Sequence, residues 1–196
     1  MTHADSPPSR GSATALRTNS PVGRESLNRL VEALAGAQPA TVLDHGCGWG
    51  EMLLKLLEAV PYAQGTGIDI HGPDIERAMA RAEHRKLAER ATFIQGSSAD
   101  STAAADLVIN VGSYQAFGTI PRALAQLHHP TNLSGRLVFG AEFWSTLPTD
   151  DQLAQMWEGA TVDNCLLLPD LIDAVAESGW RVLDMRTLNA PGMGRV

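Results

Sequence analysis

Between Thr41 and Gly50 the chain reads Thr-Val-Leu-Asp-His-Gly-Cys-Gly-Trp-Gly, a short apolar strand that runs into a turn with glycine at every second position. An apolar helical stretch follows, from Glu51 to Val60. A strand feeding a glycine-rich turn into a helix start builds a surface of backbone N–H groups for an extended polar ligand. A dinucleotide-type turn, G-x-G-x-x-G, needs a small residue at its sixth position. Glu51 stands there instead. A carboxylate at that place crowds the helix–strand contact and repels a pyrophosphate, so the expected ligand is a nucleoside without phosphates.

The rest of the chain alternates strand and helix patterns around this turn. Leu27, Leu30, Val31 and Leu34 recur at helical spacing after Pro21, with Gly36 and Pro39 closing the helix. That helix is expected beside the first strand, as a lid on the pocket. Strands are expected at Gly65–Ile70, Ala91–Gln95, Asp106–Val111, Gly135–Glu142 and Arg181–Leu188, and helices at Asp74–Glu89, Pro121–Leu127, Asp150–Trp157 and Pro169–Ser178. The order predicts an α/β fold, a doubly wound, mostly parallel sheet with helices on both faces. Residues 1–20 are poor in large apolar side chains and read as a mobile tail, leaving 21–196 as one domain with an inserted segment at about 145–168.

Charge narrows the partners. A net charge of -7 argues against nucleic acid or an anionic membrane. The cluster from Arg77 to Arg90 alternates with Glu76, Glu83 and Glu89 and reads as a solvated helix face. Cys47 and Cys165 lack metal-ligand spacing, and the N-terminus lacks a signal-peptide profile, which together predict a reduced, cytoplasmic setting. His128-His129 lies before Pro130 in a turn, and no metal is expected.

In a doubly wound sheet, ligands bind beyond the carboxyl ends of the strands. The glycine turn, Asp69, Ser97 and Asn110 all fall at such ends. A carboxylate at Asp69 can accept both hydroxyls of a ribose. His45 and Cys47, inside the turn, read as structural.

Val-Leu-Asp-x-Gly-x-Gly-x-Gly, with Gly-Ile-Asp-Ile one helix later, resembles the first two motifs of class I S-adenosylmethionine-dependent methyltransferases. The resemblance continues through Phe93–Ser98 and Ala105–Asn110 and covers about residues 40–145. It implies the Rossmann-like methyltransferase fold and S-adenosyl-L-methionine as cofactor. By that resemblance, the backbone at Asp44, Gly46, Cys47 and Gly48 holds the methionine portion, Asp69 the ribose, and Ile70 the adenine face. The position after the third strand, usually acidic in the family, is Ser97 followed by Ser98, with Asp100 as a substitute reader of the base. Asn110, at the end of the fourth strand, is expected among the cofactor-binding residues, and the loop after it stands where methyl and acceptor meet, so Tyr114 and Gln115 are expected to position the acceptor. Glutamine cannot serve as a base, and direct displacement driven by proximity and alignment is the expected mechanism. Glu142 and Trp144 are expected to line the pocket of a small-molecule acceptor, with Trp157 at the sheet edge.

The chain departs from the family after Leu188, where Asn189–Val196 makes a poor final strand. The last antiparallel strand is expected to be absent or altered, and the uncovered sheet edge to favour a homodimer. Two other readings compete: a protein on the same fold that binds the cofactor without transferring methyl, and a nicotinamide-dependent oxidoreductase. Glu51 and the lack of a Tyr-x-x-x-Lys constellation weigh against the second.

Overall fold

The computed structural model describes residues 23–156 and 158–187. The expectations for the tail at 1–20, for Trp157 and for Asn189–Val196 lie outside them. Five strands, β1 (Thr41–His45), β2 (Gln64–Asp69), β3 (Ala91–Gln95), β4 (Ala105–Val111) and β5 (Thr131–Gly140), form one sheet in the order β3-β2-β1-β4-β5. Every pairing is parallel, so all five strands end at the same edge. The order reverses between β1 and β4.

Three helices cover one face: α1 (Arg24–Ala35), α2 (Glu51–Ala59) and α3 (Gly72–His84). Their Leu27, Val31, Leu53, Leu57, Ile75 and Ala78 pack with Val42, Leu107 and Ile109 of the sheet. α4 (Ile120–Gln126) and α6 (Leu168–Glu177) cover the other face, where Ala123, Leu124 and Ala174 meet Leu43 and Val108. β4 alternates its side chains between these two clusters, which is why its sequence is apolar almost throughout. α1 packs on α2, so the lid expected of it is replaced by a support for the helix behind the glycine turn.

The polar residues that begin the strands act as fasteners. Asp106 accepts hydrogen bonds from the N–H groups of Ala40 and Thr41, the Thr41 hydroxyl and the Asn132 amide, joining the starts of β1, β4 and β5. These bonds, Asn132 foremost, hold its carboxyl below the usual range.

Several expectations are corrected. α3 stops at His84, not Glu89, because Lys86 turns into the left-handed region at φ 61° and Leu87 N–H bonds back to Ala82 O. That is a Schellman closure made without glycine, with Leu87 buried as its apolar contact. The arginines of this region are not a solvated face. Arg81 and Arg85 bond the carboxylate of Glu51, and Arg90 donates to the carbonyls of Leu57, Val60 and Ala63 at the end of α2. Residues 181–187 form no strand: Val182, Leu183 and Met185 are 49%, 62% and 53% exposed and found no sheet neighbour to cover them. The inserted segment instead folds back as α5 (Asp150–Ala154) and a two-stranded pair, β6 (Phe143–Trp144) with β7 (Leu166–Leu167).

Glu51 is 8% exposed and its two arginine partners are themselves largely covered. Removing it strands Arg81 and leaves Arg85 with the more exposed Glu58 at 3.7 Å. Glu51→Ala is expected to cost about 1–3 kcal/mol, read as a lower urea midpoint with an unchanged slope. An unchanged midpoint would mean that the pairs add no net stability.

Candidate active site

The site is built where the sheet order reverses. The glycine turn leaves β1 and the 112–118 loop leaves β4, side by side at the carboxyl ends. Gly46 has φ +74°, and a Cβ there would sit 2.2 Å from Ser113 Cβ, so glycine is what lets the two loops touch. Ser113 then closes the contact by donating its hydroxyl to His45 O at 2.6 Å.

The turn's own N–H groups point inward. Gly46 N–H and Cys47 N–H donate to Ile68 O, Gly50 N–H to Cys47 O, and Gly48 N–H to Asp69 Oδ2 at 2.8 Å. The expected ledge of backbone donors is therefore corrected: Gly46, Cys47 and Gly48 spend theirs on β2, and Gly50 on the turn itself. Asp69 Oδ1 accepts from His71 N–H at 2.9 Å, so one carboxylate fixes the glycine turn and the turn that opens α3. A carboxylate has about four acceptor sites, and room for further hydrogen bonds remains.

Asp44 is 5% exposed beside this arrangement. Burial, reinforced by the like charge of Asp69, raises its carboxyl to about 7. Glu51, given the task of repelling phosphate in the sequence reading, faces the other way into Arg81 and Arg85, where its charge is cancelled. The negative field at the turn comes from Asp44 and Asp69 instead. Cys47 is half-buried and burial pushes its thiol up, which leaves it an uncharged packing group, as expected. Trp49 packs under the guanidinium of Arg77 at 4.0 Å.

The other expected site residues divide into two groups. Ile70 is 73% exposed at the end of β2, open to a planar ligand. Ser98 is buried, while the Ser97 hydroxyl caps a short 3-10 turn, accepting from Ala99 N–H; Asp100 is exposed. Asn110 is fully buried at the end of β4. Tyr114 is buried and donates its hydroxyl to Asn164 O at 3.1 Å, and Trp144 Nε1 donates to Val162 O at 2.8 Å. Both aromatic residues thus tie the inserted segment down. Burial raises the Tyr114 phenol, and the neighbouring Cys165 and Glu142 raise it further. Gln115 and Glu142 are exposed. Cys165, read in the sequence only as lacking metal-ligand spacing, is half-buried beside β7, where burial and Glu142 push its thiol up. His128 stacks on Trp180 at 4.0 Å and is bonded to Ser178 O, so it joins α4 to α6. Among the described residues, no group of three or more His, Cys, Asp or Glu could hold a metal ion, and no helix is long and apolar enough to cross a membrane.

Residues 42–135 match the family model described as a methyltransferase domain. The crystal structure of a SAM-dependent methyltransferase from Thiobacillus denitrificans, in complex with S-adenosyl-L-homocysteine, is 31% identical with a TM-score of 0.77, over 87% of this chain and 69% of that one. The chain belongs to the class I S-adenosylmethionine-dependent methyltransferase family. A second such enzyme, from Geobacter sulfurreducens and also in complex with S-adenosyl-L-homocysteine, is 28% identical with a TM-score of 0.79 over the same shares of the two chains. The Escherichia coli K12 protein YjhP is 28% identical over 181 residues, 91% of this chain and 73% of its own.

The cofactor of this methyltransferase-family chain is S-adenosyl-L-methionine. The residues present fit it: a buried carboxylate and a second one beside it, with no cation bonded to either among the described residues, suit a ligand that carries an ammonium and a sulfonium. They suit a pyrophosphate badly. Asp69→Ala is expected to act twice, lowering the melting temperature of the free protein and weakening S-adenosylhomocysteine binding by about 1.5–3 kcal/mol. Calorimetric titration reads the second effect, and unchanged affinity would place the ribose elsewhere.

Proposed function

We propose that the protein transfers a methyl group from S-adenosyl-L-methionine to a small-molecule acceptor held between the 113–117 segment and the inserted segment. The observation that carries this reading is the pair Asp44 and Asp69 at the glycine turn. In this proposal the backbone at Asp44, Gly46, Cys47 and Gly48 lies along the methionine portion. Asp69 takes the ribose hydroxyls, Ile70 covers one face of the adenine, and Ser97 and Ser98 border the base. Tyr114 and Gln115 bound the acceptor side, with Glu142 and Trp144 on the wall opposite. Bound there, the cofactor supplies a methyl group already activated for displacement.

What the chain contributes is alignment. Holding two reactants in a near-attack arrangement is worth about 7–11 kcal/mol, whereas a positioned base adds about 10²–10⁴-fold. The exposed Gln115 cannot take a proton, and the larger factor does not need it to. The net charge of -7 disfavours nucleic acid as acceptor and suits a small molecule. Isotope-labelled methyl transfer to a panel of phenols, primary amines, thiols and carboxylic acids tests the function. Labelled product from any of them supports it; cofactor binding with no transfer across the panel would sink it.

The Asp44 shift gives a pH dependence with a definite sign. Its raised folded value means that stability of the free protein from this group is present below pH 3.8 and is lost as pH rises through about 7. A bound cation reverses the preference by favouring the ionised form. Affinity for S-adenosylmethionine should therefore fall by up to about tenfold from pH 8 to pH 6, measured calorimetrically, and Asp44→Asn should flatten the profile. A profile unchanged in Asp44→Asn would assign the titration to another group.

A further inference from the structure

Three buried polar atoms at the reversal of the sheet order have no hydrogen-bond partner among the described residues: both ring nitrogens of His45 and the side-chain oxygen of Asn110. His45 ends β1 and Asn110 is its register partner on β4, so the two side chains leave the same face of the sheet from adjacent strands. They are 1% and 0% exposed. The amide orientation of Asn110 is fixed by its neighbour. The Ser113 hydroxyl donates to His45 O, so it can only accept from Asn110 Nδ2, at 2.9 Å. Oδ1 is the atom left open. Burial lowers the His45 imidazole to about 4, which leaves the ring neutral, with one N–H and one lone pair. A fold that needed only packing here would do better with an apolar side chain of the same shape.

The cover over this pair is the segment Ser113–Phe117. Phe117 meets the imidazole edge-on at 5.5 Å. The segment is held by the Ser113 bond to His45 O and the Tyr114 bond to Asn164 O. It is bracketed by Gly112 at φ +72° and Gly118 at φ +101°, and a side chain at Gly112 would meet nothing within 4 Å. The segment therefore has pivots at both ends and open space at the first.

We propose that His45 and Asn110 are an acceptor-binding pair of the methyl-transfer site, uncovered when residues 113–117 turn on Gly112 and Gly118. This rests on the function proposed above. A hydroxyl satisfies the pair by donating to Asn110 Oδ1 and accepting from the imidazole N–H; a neutral amine does the same. A carboxylate or thioether has no proton to donate and leaves Oδ1 open. The pair thus selects acceptors that carry O–H or N–H, and His45 and Asn110 orient the acceptor lone pair; as the methyl group is taken up, S-adenosylhomocysteine is the leaving group and the acceptor proton is released to water.

Two measurements test it. Diethyl pyrocarbonate labelling with mass-spectrometric readout asks whether His45 becomes reachable in the folded protein. His45 should react more slowly than the exposed His71, His84 and His129, at a rate that low urea does not change. Labelling of those three with His45 untouched until the protein unfolds overturns the proposal. The variant His45→Phe keeps the volume and removes the polar atoms. Expected are unchanged or raised stability, S-adenosylhomocysteine affinity within twofold of wild type, and at least a tenfold higher KM for a phenol or amine that the wild type methylates, with kcat less affected. An unchanged KM, or wild-type transfer confined to carboxylates and thiols, overturns it. A wild type that methylates nothing in the panel defeats the proposed function, while the labelling result still decides whether the pair is uncovered.

Discussion

Two hydrogen bonds from one carboxylate hold the site together. Asp69 accepts from Gly48 N–H and from His71 N–H, and so couples the glycine turn after β1 to the turn that opens α3. Gly46 N–H and Cys47 N–H donate to Ile68 O on the same strand, and Gly50 N–H closes the turn on Cys47 O. The turn is consequently a rigid extension of β2, and its position is set by the sheet. On its other side Gly46 admits Ser113, which fastens the loop after β4. The ends of β1, β2 and β4 are thus locked into one surface with very few polar contacts.

That locking decides the electrostatics. With its N–H groups turned inward, the turn presents little positive potential, and Asp44 and Asp69 give it a negative one. The chain keeps its cations elsewhere: Arg81 and Arg85 are committed to Glu51, Arg90 to the carbonyls at the end of α2, and Arg77 to the face of Trp49. A cationic cofactor belongs in such a place and a pyrophosphate does not. The loop after β4 is a different kind of structure, fastened at Ser113 and Tyr114 and bracketed by Gly112 and Gly118, both at positive φ.

The strands and the turn were legible in the sequence because their signals are local. β3 runs from Ala91 to Gln95 as read, and the stretch from β1 to α2 carries its pattern in apolar runs and glycines. What escaped the sequence depended on partners far along the chain. Glu51 looked like a free carboxylate because Arg81 and Arg85 lie one strand and one helix away. The end of α3 was overshot because Lys86 occupies a left-handed position usually given to glycine. β6 and β7 have two residues each, too few for alternation to register. The stretch read as a strand from Arg181 forms none over residues 181–187. Tyr114 and Trp144, expected at the acceptor, use their polar atoms to bind the inserted segment.

The central claim is that the Asp44–Asp69 surface of the glycine turn holds S-adenosylmethionine with its methyl directed at the loop after β4. A crystal structure of the protein with S-adenosylhomocysteine tests it most directly. The account requires both ribose hydroxyls on Asp69, the amino-acid portion along Asp44 and Gly46, and the sulfur facing residues 113–115. A nucleoside bound with its ribose away from Asp69, or with its sulfur turned from the β4 loop, would contradict it.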